Sequence, residues 1–409
     1  MDMTKDYFQH FNTLNMDTSH FQTSNDICTP MECVKEMVDL IPDDFWLSNP
    51  KVLDPCCGNG NFPAYICHKF PDPEYALKNN IFMNEINPKR VENLRNYFGE
   101  EINLTTRDFF EFPFYEKYDL ISANPPYAKI TDGKRAAKNH GISKDFIKKA
   151  LSILNPNGYL LFIVPDNFMS LSDSNDTFEI LSRYNLIHLN IGGAKKYFKG
   201  VGSSFVYFLL QKTKDKTETT IENFNFIKDT QKVLIERTEY LPLYYSSLVK
   251  SIFDKTINAN NIKLKVETSS NLHATTQKKF LSSSPDKDHP YRILHTFKET
   301  KYSSIPHKYQ DGWKCFISLT SYFETKVDDC GMTQSIAFIR CPSKEEAERI
   351  SNLLSHPLYR FLNNLCRYGN FNNIRIIQKM PDCIGDPYEI FGITEDEKLL
   401  IENNTFQHF

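Results

Sequence analysis

Lys51-Val52-Leu53-Asp54-Pro55-Cys56-Cys57-Gly58-Asn59-Gly60-Asn61-Phe62 runs from an apolar strand through a glycine-rich turn towards a helix. A strand that empties into such a turn is the entry to a nucleotide-type cradle, because glycines let backbone approach a ligand with no Cβ in the way. Pro63 stands where the dinucleotide fingerprint has its third glycine, and a proline there suits the start of a helix. That difference argues against a nicotinamide dehydrogenase. Outward from this turn the first half of the chain alternates short apolar strands, at Lys51–Leu53, Ile81–Glu85, Asp119–Ala123, Tyr159–Val164 and Phe205–Leu210, with amphipathic helices. The pattern predicts an α/β domain whose mainly parallel sheet is covered by helices on both faces. Upstream, Thr29 as N-cap, Pro30 at the first helical position and Glu32 three residues after the cap spell a capping box, followed by Val34, Met37, Val38 and Ile41 on one face. Phe146, Ile147, Ala150, Leu151 and Leu154 give a second helix, Ser143 to Leu154, that stops at Asn155-Pro156-Asn157-Gly158.

In an open α/β sheet, ligands bind at the carboxyl ends of the strands, so the residues just after each strand are the candidates for chemistry. Glu85 ends the second strand, where a carboxylate can accept from both hydroxyls of a ribose. Asp108-Phe109 follows an apparent third strand. The fourth empties into Asn124-Pro125-Pro126-Tyr127. Two prolines fix the direction of the Asn124 amide and of the Pro125 carbonyl, and rigid acceptors suit a planar amine. An aromatic amino group is a poor nucleophile because its lone pair is spread into the ring. Hydrogen bonds accepted from both its N–H groups favour the pyramidal form, whose lone pair can attack a methyl sulfonium in line with no metal and no covalent enzyme intermediate. Tyr127 offers a flat face for a base. A proline-stiffened turn alone explains neither the asparagine before it nor the tyrosine after it.

At 409 residues the chain is long enough for two cores, and 40% hydrophobic with 24% charged residues is the composition of a globular protein. No apolar run reaches the roughly 20 residues of a membrane helix, and no apolar signal core follows the N-terminus. The expectation is a cytoplasmic protein, one that stays in the compartment where it is made and is not secreted. Ten irregularly spaced cysteines, without a C-x-x-C, read as free thiols, and no metal site is expected. A net charge of −3 excludes binding to nucleic acid through global charge, although local basic faces are present. One comprises Lys129, Lys134, Arg135, Lys138, Lys144, Lys148 and Lys149, and another Lys195, Lys196 and Lys199. Gln211 to Thr220 is polar, without apolar periodicity, and reads as a linker or exposed hairpin. It sets the expected domains at 1–215 and 216–409.

The order of these motifs resembles the gamma class of S-adenosylmethionine-dependent amino-methyltransferases, the adenine-modifying enzymes of restriction–modification systems. It runs T-P, then D-P-x-x-G-x-G, an acid after the second strand, D-F, N-P-P-Y, and a separate target-recognition half. The resemblance covers about the first half of the chain. It implies a Rossmann-like methyltransferase domain with a mixed, mainly parallel sheet, plus a C-terminal α+β target-recognition domain. The implied reaction is transfer of the methyl of S-adenosylmethionine to the N6 amino group of adenine in double-stranded DNA, with the base flipped out of the stack. Thr29 and the loop holding Asp54, Cys56, Gly58 and Gly60 would contact the methionine part of the cofactor. Glu85 would bind the ribose and Ile86 pack on the cofactor adenine, with Asp108 accepting from its amino group and Phe109 lying against it. Asn124, Pro125 and Pro126 would frame the target amine, Tyr127 would stack on the base, and Phe198, or its neighbour Tyr197, would close the other side. A cognate restriction endonuclease is the further partner implied.

The alternatives with the same tetrapeptide are amino-methyltransferases of RNA, of cytosine N4 or of a protein glutamine. Cytosine C5 chemistry needs a cysteine nucleophile beside the substrate, and none follows Asn124. A non-catalytic relic would be expected to have lost Asn124, Tyr127 or the Gly58-x-Gly60 turn, all of which are intact. In the second half, Gly331 to Ser335 and Gly369 to Asn373 look similar to parts of recognition domains. Asn372, Asn373 and Arg375 are of residue types that read bases, although an exposed polar loop accounts for any one of them.

Overall fold

The computed structural model describes residues 6–16, 28–111, 116–126, 130–131, 134–135, 142–198, 204–320, 322–369 and 371–404. Tyr127, Lys129, Lys138, Lys199 and Asn370 lie outside them. The chain divides into two compact units, one of residues 1–169 and 173–240, the other of residues 170–172 and 241–409.

The first unit is built on one nine-stranded sheet. Its strands are β1 (Val52–Asp54), β2 (Ile81–Asn84), β3 (Asn103–Thr105), β4 (Tyr118–Ala123), β5 (Leu154–Pro165), β6 (Asn185–Ile191), β7 (Phe205–Gln211), β8 (Thr219–Asn223) and β9 (Asp229–Val233). Their spatial order is β9-β8-β6-β7-β5-β4-β1-β2-β3. β7 runs antiparallel to both of its neighbours and β9 antiparallel to β8, while every other pair is parallel. The expected mixed, mainly parallel sheet is therefore present. β1 lies between β2 and β4, with Val52 opposite Ile81 on one side and Leu120 on the other. The chain winds away from β1 in both directions, so the carboxyl ends of β1 and β4 border the crevice where such sheets receive ligands.

α1 (Asp6–Met16) and α2 (Met31–Val38) precede β1. α2 buries Val34, Met37 and Val38 in a core shared with Leu161, Ile163, Tyr207 and Leu209 of the sheet. α3 (Asn61–Ile66) follows the glycine turn, α4 (Pro88–Phe98) follows β2, and α5 (Ile142–Ile153) is the crossover into β5.

The stretch after Gln211 departs from the linker expectation. β8 pairs with β6 and β9 with β8, which carries the first unit to Tyr240 instead of residue 215. Only Ile221 in β8 is a large apolar residue, so its alternation is nearly silent in sequence, yet Thr219, Ile221 and Asn223 are buried. The lysines of the polar run clamp element ends. Lys212 Nζ donates to the carbonyls of Leu151 and Leu154 at 2.6 and 2.7 Å, which satisfies the open end of α5, and Lys216 Nζ donates to the Ile235 carbonyl at 3.0 Å.

The second unit has α+β character. One sheet joins β10 (Glu267–Thr268), β14 (Lys314–Ser318), β15 (Thr325–Asp328) and β17 (Ile336–Arg340) in the order β10-β17-β14-β15, all antiparallel. The other joins β11 (Leu281–Ser282), β12 (Tyr291–Thr296), β13 (Glu299–Ser303) and β16 (Gly331–Met332) in the order β11-β13-β12-β16. Leu294, Phe316, Cys330, Met332, Ile336 and Phe338 form a core between them. Helices α6 (Ser247–Lys255), α7 (Lys344–Ser355), α8 (Pro357–Leu365) and α9 (Ile374–Gln378) complete the part used below. Among the described residues no helix is long and apolar enough to cross a membrane, and no group of three or more His, Cys, Asp or Glu could hold a metal ion.

Candidate active site

The glycine turn adopts the backbone that its residue types predict. Gly58 has φ 58° and Gly60 φ 91°, both in the left-handed region that a side chain resists. A Cβ on Gly60 would stand 2.7 Å from Leu94 Cδ2 and from Phe98 Cε2, whereas one on Gly58 would meet nothing within 4 Å. The turn is thus packed against α4 at Gly60 and faces open space at Gly58.

Two buried acids flank it. Asp54, at the end of β1, accepts from the Cys56 N–H at 3.2 Å, and burial pushes its carboxyl well above the usual carboxylate range. Glu85, just past β2, accepts from the Gly58 N–H through Oε2 at 2.9 Å and from the Asn87 N–H through Oε1 at 2.8 Å. Beside it Ile86 is 55% exposed, a large apolar side chain presented outward.

Three asparagines that the sequence did not single out complete the cradle. Asn84 donates to the carbonyls of Pro55 and Arg107 at 3.1 Å and accepts from Thr105 Oγ1 at 2.7 Å, tying together the ends of β1, β2 and β3. Asn59 donates to Asn15 Oδ1 of α1 at 3.1 Å, and Asn61 to the Thr29 carbonyl at 2.7 Å. Asn59 is 3% exposed and Asn61 4%, and the Oδ1 of each has no hydrogen-bond partner among the described residues. A polar residue directly before the strand-end acid was the available signal for Asn84, and G-N-G-N for the other two.

Asp108 is exposed and accepts from the Phe110 N–H at 2.8 Å, closing a local turn. Phe109 is buried and stacked on Phe146 of α5, with ring centroids 4.9 Å apart and 20° between planes. One of its faces is therefore taken by the core.

The substrate loop meets the cofactor loop at Asn124. Asn124 Nδ2 donates to Thr29 Oγ1 at 3.0 Å, and the Asn124 carbonyl faces Cys56 Sγ at 3.6 Å. Pro125 is buried and Pro126 exposed. The capping box expected around Thr29 does not form. α2 begins at Met31 with Pro30 at its cap position and no side-chain capping bond, while Glu32 instead accepts from Asn12 Nδ2 at 3.1 Å. The Thr29 hydroxyl, which would have capped the helix, is engaged with Asn124. Phe198 is 4% exposed and packs on Phe205, 4.8 Å between centroids, inside the core shared with α2. In this structure it is a core side chain near the entrance to β7. Of the described basic residues, Lys144 and Lys148 pair with Asp176, at 2.7 and 3.1 Å, and Lys196 pairs with Glu36 at 2.9 Å.

Residues 35–198 match the family model described as Eco57I restriction-modification methylase. This segment holds the glycine turn, both acids and Asn124. Among curated proteins the chain is similar to the type II methyltransferase M.VspI of Vibrio sp. (strain 343), 29% identical over 160 residues that cover 35% of this chain and 38% of that protein. It is also similar to the type II methyltransferase M.HincII of Haemophilus influenzae, 26% identical over 275 residues that cover 57% of this chain and 46% of that protein. The matches thus span less than half the length of these relatives. Among solved structures, the type IIL restriction-modification enzyme MmeI in complex with DNA shares the fold with a TM-score of 0.54 at 11% identity, over 96% of this chain and 70% of that one.

Proposed function

We propose that this chain is an S-adenosylmethionine-dependent DNA methyltransferase of restriction–modification type, acting on the N6 amino group of adenine in double-stranded DNA. The observation that carries the reading is the position of Asn124 at the carboxyl end of β4, beside the two-acid glycine turn of β1 and β2. The resemblance of residues 35–198 to the Eco57I methylase family supports it independently.

The cradle suits this cofactor on three counts. Gly58 leaves room for a ligand. The partnerless Oδ1 atoms of Asn59 and Asn61 ask for donors of the kind an ammonium brings. Asp54 and Glu85 place two carboxyls where a cationic ligand would lie, and such a ligand would favour their ionised form. S-adenosylmethionine, when bound, supplies a methyl group on a positively charged sulfur. Asp54, Gly58 and Gly60 hold the amino-acid end, Glu85 accepts from the ribose hydroxyls, Ile86 covers the adenine and Asp108 accepts from its amino group. Asn124 Oδ1 and the Pro125 carbonyl accept from the two N–H groups of the target amine, holding its lone pair towards the methyl. Pro126 stiffens that turn, Tyr127 stacks on the flipped base, and the second unit reads the DNA sequence. A cognate endonuclease is the proposed partner.

The test is transfer of labelled methyl from S-adenosylmethionine to double-stranded DNA of mixed sequence, followed by nucleoside analysis. Label in N6-methyladenine is expected. N4-methylcytosine would replace the adenine assignment, and unlabelled DNA in the presence of bound cofactor would sink the DNA reading. Asn124→Ala is expected to bind cofactor and to lose about 100-fold or more in transfer rate, the scale on which a misplaced reacting group costs catalysis. Normal turnover by that variant would remove the mechanism.

A further inference from the structure

Asn124 is held from two sides. Its amide nitrogen donates to Thr29 Oγ1 at 3.0 Å, and its main-chain carbonyl receives Cys56 Sγ at 3.6 Å. Thr29 is itself fixed, because it is 4% exposed and its carbonyl accepts from Asn61 Nδ2 at 2.7 Å. Asn61 is the first residue of α3, immediately after Gly60, so a chain of hydrogen bonds runs from the glycine turn through Thr29 to the substrate asparagine. An asparagine amide has an acceptor end and a donor end, and two rotations of it look alike in shape. Only the oxygen can serve a target amine, whose N–H groups need acceptors. A hydroxyl that takes the nitrogen end turns the oxygen end away from Thr29.

We propose that Thr29, anchored to the glycine turn by Asn61 and assisted by Cys56, is a positioning residue that sets the orientation of the Asn124 amide. The inference rests on the amino-methyltransferase reading given above. It differs from the role that the family resemblance implies for Thr29, and it accounts for the absence of a capping bond at α2: the hydroxyl that would cap the helix serves the substrate loop instead. Cys56 contributes from the turn itself, in the position next to Asp54-Pro55, through a thiol that is a weak donor.

The test compares wild type, Thr29→Val, Thr29→Ser and Cys56→Ala in labelled-methyl transfer to mixed-sequence duplex DNA, with the dissociation constant of S-adenosylmethionine measured by calorimetry on the same proteins. Valine keeps the shape of threonine and removes the hydroxyl, donor and acceptor together. Thr29→Val is expected to lose about 10- to 100-fold in kcat, as a reacting group displaced by about 1 Å does, with cofactor affinity within about threefold of wild type. Thr29→Ser should restore kcat to within about threefold. Cys56→Ala should show the same split at a smaller scale, a few-fold in kcat, as fits the weaker donor. Wild-type kcat in Thr29→Val would overturn the inference, and so would a loss of cofactor affinity matching the loss of rate, which would make Thr29 a cofactor contact. Should Thr29→Val fail to fold, Thr29→Cys takes its place with the same expected split and the same overturning outcomes. An inactive wild type would bring down the amino-methyltransferase reading and this inference with it. An active wild type beside an equally active Thr29→Val would bring down this inference alone.

Discussion

Gly58-Asn59-Gly60-Asn61 in the first unit and Gly369-Asn370-Phe371-Asn372-Asn373 in the second are nearly alike in composition, and both carry glycines at positive φ, 58° and 91° in one and 77° in the other. Their polar atoms are used differently. Asn372 accepts from Asn363 Nδ2 at 3.0 Å and donates to the Ser318 carbonyl at 2.7 Å. Asn373 accepts from the N–H groups of Arg375 and Ile376, capping α9, and donates to the Leu171 carbonyl at 3.2 Å. Arg375 is bonded to Gln378 Oε1 at 2.9 Å. These are internal ties of the second unit, where the sequence suggested an exposed loop or base readers. At the glycine turn of the first unit, by contrast, Asn59 and Asn61 each bury a carbonyl oxygen without a partner among the described residues. Protein interiors rarely leave such atoms unsatisfied, so the turn with open acceptors is the one that expects a ligand.

Exchanging these asparagines for alanine is the sharpest way to break the comparison. Asn372→Ala leaves a buried amide N–H and a buried carbonyl unmatched, at about 1–3 kcal/mol each, so a loss of about 2–4 kcal/mol in unfolding free energy is expected by denaturant titration. Asn59→Ala gives up the bond to Asn15 Oδ1 and a weak one to Cys28 Sγ at 3.5 Å, and relieves one unsatisfied oxygen. It should cost less than about 1 kcal/mol while weakening S-adenosylmethionine binding by calorimetry. Equal destabilisation by the two changes would show that the asparagines of both loops are merely structural.

The glycines give a smaller contrast of the same kind. Gly60→Ala combines a left-handed backbone with a Cβ 2.7 Å from Leu94 and Phe98, both at side-chain ends that can shift, for an expected cost of about 1–3 kcal/mol and a weaker cofactor site. Gly369→Ala meets nothing within 4 Å and carries the backbone cost alone, about 1 kcal/mol. Thermal unfolding of both variants measures the difference. A costlier Gly369→Ala would mean that the second loop is the more tightly built of the two.

The reason one half was legible and the other was not is visible in the same residues. The fold of the first unit follows from strands with continuous apolar runs, such as β4 and β5, and from turns whose glycines and prolines have one backbone use. Asn124, Asp54 and Glu85 were singled out because a parallel sheet puts its ligands at strand ends. β8 was missed because Ile221 is its only large apolar residue, and Lys212 and Lys216 disguise the approach to it as solvated chain. Thr29 was assigned to the wrong partner, since T-P followed by Glu fits a helix cap, and only tertiary structure brings Asn124, 95 residues away, to the same hydroxyl. Phe109 and Phe198 were expected at the ligand on motif order, and nothing in their neighbours' sequence announces the ring contacts with Phe146 and Phe205 that the structure shows. The second unit has short strands and loops stabilised by asparagine-to-backbone bonds between distant segments, and those leave no periodic trace.

Buried acids carry the comparison to its smallest expected effect. In the second unit, burial works to raise the carboxyls of Asp328 and Glu397, but Arg292 and Lys255, bonded to them at 2.8 and 2.7 Å, outweigh it and hold both below the usual range. In the first unit no cation among the described residues pairs with Asp54 or Asp166. Asp166, at the carboxyl end of β5, is pushed up to about 6 by burial, with a hydrogen bond to Ser204 opposing the rise only in part. A carboxyl whose folded pKa is raised binds more protons folded than unfolded between about pH 4 and 6. Its contribution to stability is therefore full below that window, falls as pH rises through it, and above about pH 6 is replaced by the cost of a buried charge. Asp166→Asn keeps an acceptor for Ser204 and removes the charge, so it should stabilise the protein at pH 8 by about 1 kcal/mol, less than the roughly 3 kcal/mol that two pK units would allow. The gain should vanish near pH 4. Melting temperatures of the two proteins across this range decide the matter: a loss at pH 8 that fades as the pH falls would mean that a cation holds Asp166 below the usual range, as in the second unit.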